Sequence, residues 1–369
     1  MTQPSMRSRL VASLALGATA LAACSGERAP AGDSAGAATA AAEGAAPAAR
    51  EGSGAPLVYV SNEDGNDIAV IDSRTDSVLS TIFVGKRPRG IDLSPDGRTL
   101  YVAVSGSPKA PPGVDESTLP PPDRAADGIA VIDAATHKLT ATLKSGQDPE
   151  AFAVSRDGKK VYVSNEDAGT TSVVDVASGR VVKAIPVGGE PEGVTLSPDG
   201  RFVYVTAEED DEVAVIDTER DSVITTIKTG KRPRSVAFTP DGRKAYVSAE
   251  LGGAVDVIDA STHRKVKSIP VPGEGAKPMG VAVAPDGKMV YVTTGRGGTV
   301  AVIDAAADSV VATIQVGDRP WGIGLSPDGR KAYTANGPSG EVAVIDLTTR
   351  EVVRKIKSGR VPWGIAVSQ

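Results

Sequence analysis

The sequence predicts an all-β fold: a seven-bladed β-propeller with four antiparallel strands per blade, closed into a ring by its C-terminal strand. Three series of residues predict it. The chain's seven tyrosines, Tyr59, Tyr101, Tyr162, Tyr204, Tyr246, Tyr291 and Tyr333, stand in strand-like words such as VYVSN and VYVTA, at intervals of 42, 61, 42, 42, 45 and 42 residues. Asp72, Asp133, Asp175, Asp217, Asp259, Asp304 and Asp346 end AVID-like words. Pro88, Pro149, Pro191, Pro233, Pro278, Pro320 and Pro362 mark seven x-P-x turns. A period near 42 with four strands is blade-sized, and seven blades lie within the usual propeller range.

The N-terminal elements are an address and a tether. Arg7 and Arg9 precede a short apolar run, Leu10 to Ala20, which reads as a secretory signal over residues 1–23 and is too short to span a bilayer. It ends in Leu21-Ala22-Ala23-Cys24, which resembles a bacterial lipobox, so Cys24, the chain's one cysteine, is the expected lipidation site. Cleavage there removes two arginines and takes the net charge from −6 to −8. Residues 24–56 are Ala/Gly/Pro/Ser-rich and lack the apolar surface to offset ordering entropy. As a flexible coil they reach about 30 Å. The expectation is a protein of the bacterial envelope, attached to a membrane by its N-terminal lipid, with Ser25 favouring the outer membrane under the familiar sorting rule.

Residues 57–369 carry the blades. In the repeat that begins at Arg89, the strands read GIDLS, TLYVAVS, GIAVID and KLTATLK, with an SPDG hairpin between the first two. β-Branched and alternating apolar residues favour strands, and Asp-Gly and Asp-x-x-Thr supply turns. A Pro-rich insertion, residues 107–127, enters after the second strand of this repeat. It favours extended chain over a packed lid, and serves either as a docking arm or as a tolerated surface insertion. Counted from Leu57, the chain is one Asp-Gly-Arg turn short of seven full repeats plus insertions. The terminal GIAVS therefore completes the blade that starts at Leu57 and removes a free sheet edge.

Composition narrows the chemistry. Aromatics are 4% of residues, and one Cys with two His leaves neither a Cys/His zinc site nor a disulfide framework. No phosphate loop, nucleophile elbow or C-x-x-C-H haem motif is present. The acidic balance argues against single-strand nucleic acid as a partner. His137 and His263 read as solvated turn residues on the face opposite the x-P-x turns, and the Asp of AVID as a turn cap.

Two rings on one face can carry function. Flanking the x-P-x prolines are Arg87 and Arg89, Asp148 and Glu150, Glu190 and Glu192, Arg232 and Arg234, Lys277 and Met279, Arg319 and Trp321, then Val361 and Trp363. The repeat requires the proline and not its neighbours, so their variation holds information. Inter-blade ion pairing is one reading. The other is a mouth that grips an acidic periplasmic partner or a small planar anion between two tryptophans and several cations. The second ring, after each Tyr strand, includes Asn62, Glu63, Asn165, Glu166, Glu208 and Glu250. Its oxygens suit Ca²⁺, although Asx and Glu in exposed hairpin loops are usually turn formers and solubilisers.

The YVSN, AVID, VGxxP and SPDG words resemble the YVTN-type β-propeller repeat over all of residues 57–369. The order of turns, KRPRGIDLSPDG, QDPEAFAVSRDG, EPEGVTLSPDG, KRPRSVAFTPDG and VPWGIAV, is similar to that of propellers associated with PQQ-dependent alcohol catabolism. That resemblance implies a binding or scaffold module, not an enzyme, which holds no cofactor itself and works beside a PQQ enzyme or an associated transporter. The lipobox, tether and Pro-rich insertion depart from that subgroup. Similarity to propeller lactonases implies the alternative, a divalent-metal hydrolase using Asn62, Glu63, Asn165, Glu166, Glu208 and Glu250, although no histidine stands there as a base.

Overall fold

In the computed structural model, which describes residues 54–109 and 118–369, seven four-stranded antiparallel sheets form the blades of the predicted propeller. Blade one holds Leu57–Asn62, Asp67–Asp72 and Ser77–Phe83, with Pro362–Val367 as its innermost strand. Blade two holds Ile91–Leu93, Thr99–Val104, Gly128–Asp133 and Lys138–Leu143. Blades three to seven span 149–186, 191–228, 233–270, 281–315 and 320–357. The ring closes as predicted: Tyr59 pairs with Ala366 and Val60 with Ile365, and the Leu57 carbonyl accepts the Ser368 N–H at 2.8 Å. Cys24, the signal and the tether lie outside the described residues. Among those residues no helix is long and apolar enough to cross a membrane.

The second and third strands of each blade are apolar on both faces because each sheet is sandwiched between its neighbours. Tyr162 and Val173 pack with Val194 and Val203 of the next blade, and Tyr101 and Ile129 with Phe152 and Val161. The fourth strands are mostly exposed, and each carries a register shift opposite the third. Such bulges disfavour edge-to-edge pairing.

The tyrosines do more than fill the core. Tyr162 donates to Asp221 of the next blade at 2.7 Å, and Tyr246 to Asp308 at 2.8 Å. Lys160 and Lys244 reach the same two carboxylates at 2.7 and 2.8 Å, and Lys331 reaches Asp76 of blade one at 3.0 Å. Here the histidine expectation is corrected. His263 is half-buried, hydrogen-bonds Tyr204 Oη at 2.7 Å and stands edge-on to Phe202 with centroids 4.7 Å apart. His137 meets Tyr59 edge-on at 6.2 Å. Both occupy the left-handed turn position, at φ 54° and 56°, where Asp76, Asp221 and Asp308 stand in other blades. They are inter-blade latches, and burial pushes both imidazoles down.

Candidate functional site: the channel mouth

A second latch builds the opposite face. Ser61, Ser164, Thr206, Ser248 and Thr293 donate their hydroxyls to the carbonyls of Arg89, Glu192, Arg234, Met279 and Trp321 respectively, each in the next blade. The residue before the proline takes a positive φ at Arg87, Asp148, Glu190, Arg232, Arg319 and Val361. Since charged residues and valine share that strained backbone, the strain belongs to the turn and not to any one ligand. The backbone at the mouth is thus set by the repeat, and the side chains on it are free to differ.

The two rings separated in the sequence meet in space, because the loop after one blade's Tyr strand lies against the next blade's x-P-x turn. Arg87 of blade two is 3.2 Å from Glu63 of blade one. Arg232 of blade five is 2.5 Å from Glu208 of blade four, and Lys277 of blade six is 3.7 Å from Glu250 of blade five. Arg89 is 3% exposed and ion-pairs with Asp148 and Glu150, with Glu166 at 3.5 Å. Arg234 pairs with Glu208 and, at 2.7 Å, with Glu192. Inter-blade pairing is therefore what most of these charges do.

The pairing sets the carboxyl groups apart. Burial raises Glu63 and Asp148, but Arg89 and the other neighbouring cations outweigh it and hold both below the ordinary range. Burial, against Arg234 and reinforced by Glu208 and Glu166, pushes Glu192 well above its usual value. Glu208 feels burial too, yet the Glu192 hydrogen bond, Arg234 and Arg232 bring it low. Of the pair, Glu192 is the one that holds a proton more readily, and Glu208 the one that favours the carboxylate.

The proposed metal ligands separate into three groups. Asn62 is buried and donates to Asp67 at 2.7 Å and to the Ser358 carbonyl at 3.0 Å, while Asn165 donates to Ser172 Oγ at 2.9 Å. Glu63, Glu208 and Glu250 face the cations just named. Glu166 lies with Asp148 and Glu150 so that one carboxylate oxygen from each falls within 4.8 Å of the others, and Arg89 pairs with all three. A guanidinium already supplies the positive charge this cluster calls for.

The remaining sector is different. Trp321 and Trp363 line, with Met279, Glu192 and Arg234, a central channel of about 480 Å³ whose walls include Ile91, Phe152, Val194 and Ile365. Arg319 stands 5.1 Å from the Trp321 ring centroid and has no carboxylate partner among the described residues. From the root of the insertion, Lys109 lies 5.8 Å from the same ring and 2.5 Å from Glu63. The insertion is anchored at both ends, through Lys109 and through Arg124, 2.5 Å from Asp167.

A protein-family model described as lactonase, 7-bladed beta-propeller matches residues 194–367, and one described as YNCE-like beta-propeller matches residues 115–201. Hydrazine synthase of Kuenenia stuttgartiensis is similar at 26% identity and TM-score 0.64, over 76% of this chain and 89% of that one. A proposed 6-phosphogluconolactonase of Bacteroides uniformis is similar at 18% identity and TM-score 0.70, over 85% and 99%. Another, from Bacteroides fragilis, gives 17% and 0.70, over 86% and 99%. The last two likenesses speak for the fold. A comparison with curated proteins finds no match.

Sequence reasoning passed over the latch positions and Lys109. Their signal was present in part, since away from the insertion a Tyr and the residue that closes the next blade's Asp-x-x-x turn keep step at 59 to 62 residues, as in Tyr162–Asp221, Tyr204–His263 and Tyr246–Asp308.

Proposed function

We propose that the protein is a small-molecule binding module whose ligand, a planar anion, enters the channel on the Trp321–Trp363 side. One observation carries this: Arg87, Arg89, Arg232 and Arg234 beside the x-P-x prolines are held in ion pairs, whereas the two tryptophans stand over the channel beside Arg319, whose charge no carboxylate answers among the described residues. Ring faces receive a planar body and the guanidinium its anionic edge. An acidic protein surface is the poorer fit, because it would compete with Glu63, Glu208 and Glu250 for cations already paired.

The lipid on Cys24 and the tether of residues 24–56 would hold this module in the bacterial envelope. The resemblance of its turns supports a role beside PQQ-dependent alcohol oxidation or the associated transport. Calorimetric titration with PQQ and with naphthalene dicarboxylate tests the reading. Saturable binding weakened at least tenfold by Arg319→Ala is expected, and heat indistinguishable from dilution with both probes overturns it.

The lactonase match over residues 194–367 favours a second reading, hydrolysis of a lactone at the same mouth. Glu192 would be the general acid, Glu208 the base and Arg234 the oxyanion partner. Acid release from gluconolactone that survives chelator and disappears in Glu192→Gln would establish it. Activity lost to chelator and restored by Ca²⁺ would instead place metal at the carboxylate ring.

A further inference from the structure

One position in the channel wall is unlike its repeats. The third residue after Arg89 is Asp92, and the equivalent places in the other inner strands hold Ala153, Thr195, Ala237, Ala282, Gly324 and Ala366. Asp92 lines the channel cavity with Ile91, Phe152, Val194 and Ile365. Its carboxylate accepts a hydrogen bond from the Leu93 N–H at 2.8 Å, and among the described residues no Lys, Arg or His is placed to neutralise it. It is open to the channel yet surrounded by protein, and that desolvation raises its carboxyl to about 6, so it is mostly ionised at neutral pH. A carboxylate without a counter-ion beside Ile91, Phe152, Val194 and Ile365 gives the fold nothing, and the repeat accepts alanine here. Such a group is explained by what it meets when the bore is filled.

We propose that the channel takes a ligand with a basic nitrogen at its inner end, an arylalkylammonium whose ring lies at Trp321 and Trp363 and whose ammonium pairs with Asp92. The tryptophans are level with Arg89 in the repeat, so three residues of strand place Asp92 about 10 Å below them. The ammonium donates to the carboxylate, and the alkyl chain packs on Phe152, Val194 and Ile365. This rests on the reading of the mouth as a ligand site and adds the chemistry of the far end.

The test compares an aminobutyl naphthoate with its N-acetyl derivative, which keeps ring, chain and carboxylate but loses the positive charge. Calorimetry on the wild-type protein is expected to show the amine binding at least tenfold tighter, with that ratio falling to about one in Asp92→Asn. Asp92→Ala, which installs the residue of four other blades, provides a second variant. A ratio near one in the wild type, or a ratio unchanged in both variants, overturns the proposal. Binding of the N-acetyl derivative reports separately on the mouth, so that reading survives or fails independently.

Discussion

Around one side of the channel mouth, blades two to five present Arg89, Glu150, Glu192 and Arg234, each held in a contact between a guanidinium and a carboxyl group and little exposed. At the same repeat positions blades six, seven and one present Met279, Trp321 and Trp363, on the channel and partly open. The backbone beneath both sides is alike, with the same proline and the same hydroxyl–carbonyl latch in most blades. The fold therefore demands neither the charges nor the rings. One side spends its side chains on joining blades, and the other leaves apolar surface beside Arg319, which has no carboxylate partner among the described residues. That difference is the reason for assigning the ligand to the tryptophan side.

The comparison is broken most severely at Arg89. Arg89→Ala leaves Glu150 and Glu166 without their ion-pair partner and Asp148 with Arg87 alone, 3.9 Å away, and a loss of about 3–5 kcal/mol is expected for removing one partner of a buried pair. Thermal melts should show Ca²⁺ recovering part of that loss in the variant, because three carboxylate oxygens lie within 4.8 Å. Equal recovery in the wild type would mean that the guanidinium is not the resident cation.

Within the charged side, Glu192 and Glu208 should answer differently to the same change. Glu208→Gln removes the carboxylate that Arg232 and Arg234 share and is expected to cost about 2–4 kcal/mol. Glu192→Gln keeps a donor toward Glu208 and should be nearly neutral at about pH 4, below the unfolded-state titration. Glu192 has a folded-state titration raised above its unfolded one, so its stabilising effect is complete at low pH and is lost as pH rises through the folded value. Glu192→Gln should accordingly gain on the wild type as pH increases. Denaturant melts across pH that show the opposite slope would assign the proton to Glu208.

Tyr162→Phe is expected to lose about 1.5–2 kcal/mol with its bond to the Asp221 carboxylate, and Tyr101→Phe, whose equivalent partner position is Gly179, much less. Smallest is Asp92→Asn. Its raised carboxyl stabilises the fold below pH 4 and loses that effect through about 6, so the variant should exceed the wild type above pH 6 and equal it near pH 4. Water in the channel screens the charge, which limits the gain to about 1 kcal/mol.

The fold was legible because a propeller writes its period into the chain: three residue series, an exact count of turns and the terminal GIAVS placed every strand and the closure. The site was legible only as positions. Arg87 and Glu63 stand 24 residues apart, as do Arg232 and Glu208, and nothing in a strand period says that the loop of one blade abuts the turn of the next. Reading two rings where there is one network made Glu63 and Glu208 look available to metal. Asp92 was legible and overlooked, as the one carboxylate in a row of small or hydroxyl residues. Cys24 and the tether remain as the sequence states them.

Both tryptophans of the chain line the channel at its mouth, which makes them a direct probe. With fluorotryptophan incorporated, the protein should give two fluorine resonances, assigned by Trp321→Phe and Trp363→Phe, and titrated with naphthalene dicarboxylate. Both resonances are expected to shift along one saturable curve, with Arg319→Ala weakening it at least tenfold. Two resonances that stay in place while the same probe is raised to millimolar concentration would contradict the assignment of the ligand to the tryptophan side.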